Sequence, residues 1–108
     1  MKKLTILLAL AFPAHAEFFS GNDLLTRMQS DSSVERSIAL GFVVGVADAW
    51  DGMLFCAPDN VTAGQTRDIA LRFLIINPQK RHQAAVGMVS DALAEAWPCA
   101  KKPKVNKL

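Results

Sequence analysis

The sequence predicts an all-α protein, a compact bundle of about four helices with one disulfide. Apolar residues recur at three- and four-residue spacing in four segments, and no segment shows the alternation that is typical of a strand. Capping residues and prolines separate these segments, and the connections between them are short, as in helical bundles. The two cysteines, Cys56 and Cys99, follow the second and the fourth segment.

The chain begins with a pattern that is typical of a secretory signal peptide. Two lysines precede an apolar run from Leu4 to Phe12, and the small residues Ala14 and Ala16 follow it. The run is too short to span a bilayer, which takes roughly 20 residues. We therefore expect cleavage after Ala16, a periplasmic location and no stable insertion into the membrane.

The processed chain has the size of one small domain. We expect a signal peptide at residues 1–16, a helical domain at 17–99 and a basic flexible tail at 100–108. The domain carries six basic and ten acidic residues, and a body of negative charge does not suggest nucleic acid as a partner. The last eight residues include four lysines, which are typical of a solubilising end. Weak contact of this tail with an anionic lipid or cell wall polymer is the alternative.

The first two helices are predicted from their caps and their apolar spacing. The first begins within Ser20–Asn22 and ends near Gln29, and the second begins within Asp31–Ser33 and ends at Asp51. Between Gly41 and Trp50 the second helix is apolar nearly all round. This pattern predicts a central helix that is buried against several neighbours.

Small residues form a stripe along the second helix, because Ser37, Gly41 and Gly45 are four residues apart. Each glycine in a helix interior costs roughly 1 kcal/mol, so a compensating contact is expected. Close packing of another helix in the same domain and a subunit interface are both open. Asp48, the charged residue in this apolar run, is expected to be exposed rather than a buried anchor.

The third helix begins at a capping box, in which Thr62 and Gln65 satisfy each other's amides. It ends before Pro78, and the pair Asn77–Pro78 predicts that the fourth helix begins at that point. The predicted inner face of the third helix is Ile69, Phe73 and Ile76, with Ala70 and Leu74 beside them. The predicted core face of the fourth helix is Ala85, Met88, Val89, Ala92, Leu93, Ala96 and Trp97.

Cys56 is either a nucleophile or one half of a disulfide. A catalytic cysteine needs a histidine base and an orienting group, and His82 is the only histidine beyond the signal peptide. No ligand spacing indicates a metal site, and we predict neither a catalytic site nor a metal or other cofactor. An exported chain with two cysteines is expected to join them, which predicts a Cys56–Cys99 disulfide worth on the order of 4 kcal/mol.

Two polar patches are candidates for contact with a protein partner. Three basic residues, Lys80 to His82, fall in the first turn of the predicted fourth helix, where the helix dipole favours acidic residues. They are either kept for a partner or structural, with Arg81 paired to Asp59 or Asp68. The predicted partner-binding residues are Asp59, Asn60 and Gln65 before or within the third helix, and Gln79, Lys80, Arg81 and His82 after it.

Five segments of the chain resemble the Rap/Tai family of immunity proteins, which protect bacteria from amidases of type VI secretion systems. They are Gly21–Leu25 (GNDLL), Gly41–Asp48 (GFVVGVAD), Phe55–Gln65 (FCAPDNVTAGQ), Arg81–His82 and Ala96–Cys99 (AWPC). The resemblance covers nearly the whole processed chain.

The resemblance implies a periplasmic helical protein, often a homodimer, that binds a peptidoglycan-cleaving amidase and blocks its active-site cleft. Cys56 and Cys99 match two cysteines of the family. Relatives commonly carry a second disulfide at the places of Met28 and Ala39, so this chain lacks that whole bridge. The alternatives are a periplasmic stress chaperone, which would expose apolar surface in acid, and a partner in an envelope complex.

Overall fold

Four α-helices form the part of the chain that the computed structural model describes, residues 19–100. They are α1 (Gly21–Met28), α2 (Ser33–Trp50), α3 (Ala63–Ile76) and α4 (Ala85–Ala96), and a short 3₁₀ helix, Pro78–Lys80, precedes α4. No strand occurs within residues 19–100, so the predicted all-α fold class is confirmed. The predicted signal peptide and residues 101–108 of the predicted tail lie outside the described residues.

The first three helices begin at their predicted caps. The hydroxyls of Ser20 and Thr62 each accept a hydrogen bond from the backbone amide three residues further on. In both cases the side chain of that later residue accepts from the amide of the capping residue, which completes a capping box. Ser32 caps α2 in the same way through the amide of Glu35. These helix starts are local features, in which a side chain satisfies amides of its own first turn, and they follow directly from the sequence.

The predicted start of α4 at Asn77–Pro78 is wrong. Asn77 instead ends α3, because its side-chain amide donates to the carbonyl of Phe73 at 2.9 Å. The helix begins only at Ala85, whose amide donates to the Phe19 carbonyl at 2.9 Å, and its N-cap residue makes no side-chain hydrogen bond. The cap of α4 is therefore a tertiary contact with the segment before α1.

The hydrophobic core joins all four helices. Its buried members are Leu24, Leu25, Met28, Ala39, Val43, Val46, Phe55, Ala70, Phe73, Leu74, Ala85, Met88, Val89, Ala92 and Leu93. Met28 and Ala39, which stand where relatives have a second disulfide, both belong to this core. The inner face of α3 is rotated from the prediction, since Thr66 is buried whereas Ile76 is 60% exposed. The predicted core face of α4 is buried as far as Leu93.

Helix α2 departs most from its predicted burial. Among its 18 residues, the structure buries Ala39, Val43 and Val46. On the opposite side Val34 is 65% exposed and Ile38 is 42% exposed. The expected burial all round is therefore wrong for the single chain, because the other three helices pack against one side of α2.

The predicted disulfide between Cys56 and Cys99 is confirmed. Beside it, the amide of Cys56 donates to the carbonyl of Trp97 at 2.9 Å. One residue further on, the amide of Ala57 donates to the Asp51 carboxylate at 2.9 Å. The loop after α2 is thus fixed both to the end of its own helix and to the end of α4.

Candidate protein-binding surfaces

The first candidate surface is the anchored loop, residues 56–61, which carries Asp59 and Asn60. The disulfide fixes one end of the loop, and the capping box of α3 fixes the other. Asn60 has φ = 66°, in the left-handed region that asparagine tolerates better than most residues. Both Asp59 and Asn60 are exposed, so the loop presents two polar side chains on a constrained backbone.

Gln65, which was predicted to bind the partner together with this loop, has a structural role in addition. Its side-chain oxygen accepts a hydrogen bond from the Thr62 amide at 2.8 Å, and its own amide donates to the Thr62 hydroxyl at 3.0 Å. The residue is exposed, but its side chain closes the cap of α3. A contact with a partner would compete with this capping bond.

The second candidate surface is the basic turn, residues 79–82, between α3 and α4. Gln79, Lys80 and His82 are exposed and Arg81 is half-buried. These residues precede α4, so they do not oppose the dipole of its first turn as the sequence suggested. Gln79 donates weakly to the side chain of Asn77 at 3.3 Å.

Arg81 does not form the ion pair that the structural explanation requires. Within the described residues, Asp68 pairs with Arg67 at 3.0 Å, and the other ion pair joins Arg27 to Glu35. The Nε atom of Arg81 is buried and has no acceptor among the described residues. The positive charge of this side chain is therefore not neutralised by a described carboxylate.

The anchored loop and the basic turn lie at opposite ends of α3. A regular helix of 14 residues is roughly 20 Å long. The structure therefore does not bring Asp59 and Asn60 together with Lys80 and His82. The seven predicted contact residues form two separate surfaces rather than one site.

The third candidate surface is the outer face of α2, which we call the α2 face: Val34, Ser37, Ile38, Gly41, Gly45 and Asp48. All six residues are exposed. Apart from the backbone of α2 and the adjacent residues, no described atom lies within 4 Å of a Cβ built on Gly41 or Gly45. Packing of another helix of the same domain therefore does not account for these glycines, and the subunit interface stays a prediction. Asp48 is exposed, as predicted, and lines a groove of about 250 Å³ beside the anchored loop.

The structure adds two exposed apolar residues near the end of α2 that the sequence did not single out. Trp50 is 37% exposed at the end of α2, and Met53 is 70% exposed in the turn that follows. Gly52 makes this turn with φ = 84°. The dipeptide Asp51–Gly52 was the available signal, because residues beyond a helix end do not continue its packed face.

The described residues bear on the catalytic and metal-binding alternatives. The sulfur of Cys56 is committed to the disulfide, so the nucleophile alternative is excluded. Residues 19–100 contain no group of three or more His, Cys, Asp or Glu side chains that could hold a metal ion. None of the described helices has the length and apolar character needed to cross a membrane. The described residues form a small disulfide-linked helical domain.

The family model of Rap1a immunity proteins matches residues 20–99 of the chain. The chain belongs to this family, as the resemblance predicted. The matched region contains all four helices and both cysteines. A comparison with curated proteins finds no match. Membership implies that the chain binds an effector protein, and immunity proteins of this family are generally not enzymes.

Proposed function

We propose that this chain is a periplasmic immunity protein that binds and inhibits a peptidoglycan amidase delivered by a type VI secretion system. The observation that carries the proposal is the family match over residues 20–99. The signal-peptide pattern before residue 17 and the disulfide support a periplasmic location, because disulfides persist in oxidising compartments. The same family match favours immunity over a stress chaperone or an envelope-complex partner.

Inhibition requires a rigid surface that occupies the cleft of the amidase. The anchored loop and the basic turn meet this requirement, since hydrogen bonds within the fold fix the backbone of each. A few buried anchors supply most of the affinity in such complexes, so either surface is sufficient in principle. Because the two surfaces are roughly 20 Å apart, one amidase reaches both only through a broad interface or across a dimer.

The proposal includes a homodimer that is formed by the α2 face. Along α2, Val43 lies midway between Gly41 and Gly45. When two copies of α2 pack antiparallel, with the two-fold axis at the height of Val43, Gly41 of each subunit faces Gly45 of the other. The absence of side chains at both positions allows the helix axes to approach closely. Val34 and Ile38, exposed in the single chain, would lose solvent contact in this arrangement.

The test is protection of cells from a periplasmic amidase. Any cell wall amidase that is encoded near this gene is exported to the periplasm of a host, with and without the immunity chain. We expect lysis without the chain and normal growth with it. A variant that lacks residues 2–16 provides the control, because a chain retained in the cytoplasm does not meet the amidase and should not protect.

Inhibition is then measured directly with purified proteins. Residues 17–108 should abolish peptidoglycan hydrolysis by this amidase at stoichiometric concentration, and the two proteins should elute together in size-exclusion chromatography. Full hydrolysis in the presence of an excess of the folded chain would sink the proposal.

A further inference from the structure

The basic turn is held in place by the first residues of the folded domain. The amide of Gly21 donates to the carbonyl of Gln83 at 2.8 Å, and the amide of Asn22 donates to the carbonyl of Arg81 at 2.8 Å. In return, the amide of Ala85 donates to the carbonyl of Phe19 at 2.9 Å. The first amides of α1 and α4 are thus satisfied by the opposite segment, which orders the backbone that joins them.

Gly21 makes this contact possible. A Cβ atom at residue 21 would lie 3.0 Å from the Arg81 carbonyl oxygen and 3.1 Å from the Arg81 Cα, and it would also overlap the sulfur of Met88. The methionine side chain can move, but the two Arg81 atoms are backbone. Any larger residue at position 21 therefore pushes the basic turn away from α1.

The charged residues that flank the turn along the sequence are all positive. Residues 69–90 contain Arg72, Lys80 and Arg81 and no aspartate or glutamate. The carboxylate nearest to the turn along α1 is that of Asp23, which accepts from the Ser20 amide at 3.1 Å and shares a groove with Arg27. The two described ion pairs involve other residues, so the cations of the turn face no described carboxylate. The ammonium of Lys80 lies 6.0 Å from the centre of the Phe73 ring, a contact that leaves its charge unneutralised.

We propose that the basic turn is a pre-ordered cationic contact for an acidic surface of the amidase, and that Gly21 is its positioning residue. This inference rests on the proposed function and adds to it the chemistry of one contact. Because the domain is otherwise acidic, an acidic partner is repelled elsewhere and guided to this turn. The ordered backbone reduces the entropy that is lost when the side chains bind.

Charge variants at Lys80 test the contact with the amidase that the protection assay uses. Lys80→Gln and Lys80→Glu should slow association about threefold and about tenfold at low salt, because charges at an interface rim act mainly on the association rate. High salt should reduce both differences. Arg36→Gln is the matched control, since it removes one positive charge from an exposed site on α2 and should change the rate less than twofold. Equal effects of Lys80→Gln and Arg36→Gln would overturn the inference.

The positioning role of Gly21 has a readout that does not depend on the amidase. In Gly21→Ala, hydrogen exchange of the Asn22 and Ala85 amides should become at least tenfold faster, because their acceptors move away. Gly87→Ala is the control, because Gly87 is exposed in α4 and a Cβ built there meets no described atom within 4 Å apart from its own helix backbone and adjacent residues. This variant should leave both amides unchanged. Unchanged exchange in folded Gly21→Ala would refute the positioning role.

A polyglutamate peptide separates the contact from the identity of the effector. Titrated into the labelled chain at low salt, it should shift the backbone resonances of residues 80–82 first. If the chain fails to protect against the amidase while polyglutamate selects this turn, the proposed effector is wrong and the acidic-partner chemistry stands. Shifts spread equally over Arg36 and Arg72 would contradict the inference, as would binding to phosphatidylglycerol vesicles in preference to the peptide.

Discussion

Helices α2 and α4 are both rich in apolar residues, yet the fold uses them differently. Helix α4 buries six of its 12 residues, whereas α2 buries three of its 18. Helix α4 is covered by the rest of the bundle along most of its length. Helix α2 directs part of its apolar surface outwards, where Val34, Ile38 and the two glycines meet solvent.

Apolar composition therefore predicts that a helix face is buried, but it does not identify the surface that covers this face. Exposed apolar surface costs roughly 25 cal/mol per Å², so a helix that keeps such a face gains free energy when another surface covers it. For α4 that surface is the same chain. For α2, the proposed homodimer provides it.

The largest loss of stability is expected from removing the disulfide that joins the loop after α2 to the end of α4. Cys56 and Cys99 are exposed, so the double variant Cys56→Ser/Cys99→Ser introduces no buried polar group. It should lower the free energy of unfolding by about 4 kcal/mol, because the disulfide closes a loop between positions separated by 43 residues. Urea unfolding measures the change. Wild-type protein with its disulfide reduced should match the variant, and a loss below about 1 kcal/mol would show that the link is dispensable.

Truncation of one apolar residue in each helix tests the comparison directly. Leu93 in α4 has no solvent exposure, and Leu93→Ala should cost about 3 kcal/mol in unfolding free energy. Ile38 in α2 is 42% exposed, and Ile38→Ala should cost less than about 1 kcal/mol in dilute solution. If the α2 face is covered by a second copy, the cost at Ile38 rises with protein concentration. Equal costs in dilute solution would remove the distinction between the helices.

The parts that the sequence predicted well are those that local chemistry determines. Ser20, Ser32 and Thr62 each bond within their own first turn, so their helices begin where the caps stand. Helix α4 begins eight residues after the predicted cap at Asn77, because Phe19 caps it from a distant part of the sequence. No periodicity in residues 77–84 could have indicated that contact.

The candidate surfaces were predictable to a smaller extent. The residue types of the anchored loop and the basic turn are evident from the sequence, but their separation along α3 depends on where that helix ends. From the sequence Gly21 was identified only as a candidate capping residue. Its importance depends on how closely the backbone of Arg81 approaches it in the fold. The exposed side of α2 requires knowledge of how many neighbours surround a helix, which spacing alone does not contain.

A smaller change, an increase in the free energy of unfolding, is expected when a glycine of either helix is replaced by leucine. In dilute solution Gly41→Leu and Gly87→Leu should each stabilise the chain by up to about 1 kcal/mol, because leucine has the higher helix propensity and both sites have open space. In the proposed dimer, however, the larger side chain at position 41 would hold the two α2 helices apart. Sedimentation velocity should therefore find Gly41→Leu monomeric at concentrations where Gly87→Leu associates like the wild type. Identical association of the two variants would place the interface elsewhere.

The smallest effect concerns the beginnings of the helices and depends on pH. The backbone amide of Ser20, followed by its hydroxyl, holds the pKa of the Asp23 carboxyl below its ordinary value. A lowered pKa in the folded state means that ionised Asp23 stabilises the fold above about pH 4, the pKa of an unfolded aspartate. This contribution is lost as the pH falls through the lower pKa of the folded state. Because the segment that Asp23 caps also provides the cap of α4, the Ala85 amide should lose protection in acid.

Amide exchange, corrected for the intrinsic effect of pH, measures this loss between pH 6 and pH 2. The Thr66 amide at the start of α3 is the internal control, because it lies next to a capping box, Thr62 and Gln65, that has no ionisable side chain. Asp23→Asn should abolish the difference between Ala85 and Thr66 in their dependence on pH. If Ala85 keeps its protection in acid while Asp23 titrates, the start of α4 does not depend on α1. The hydrogen bond from Ala85 to Phe19 would then result from helix packing and would not act as the cap of α4.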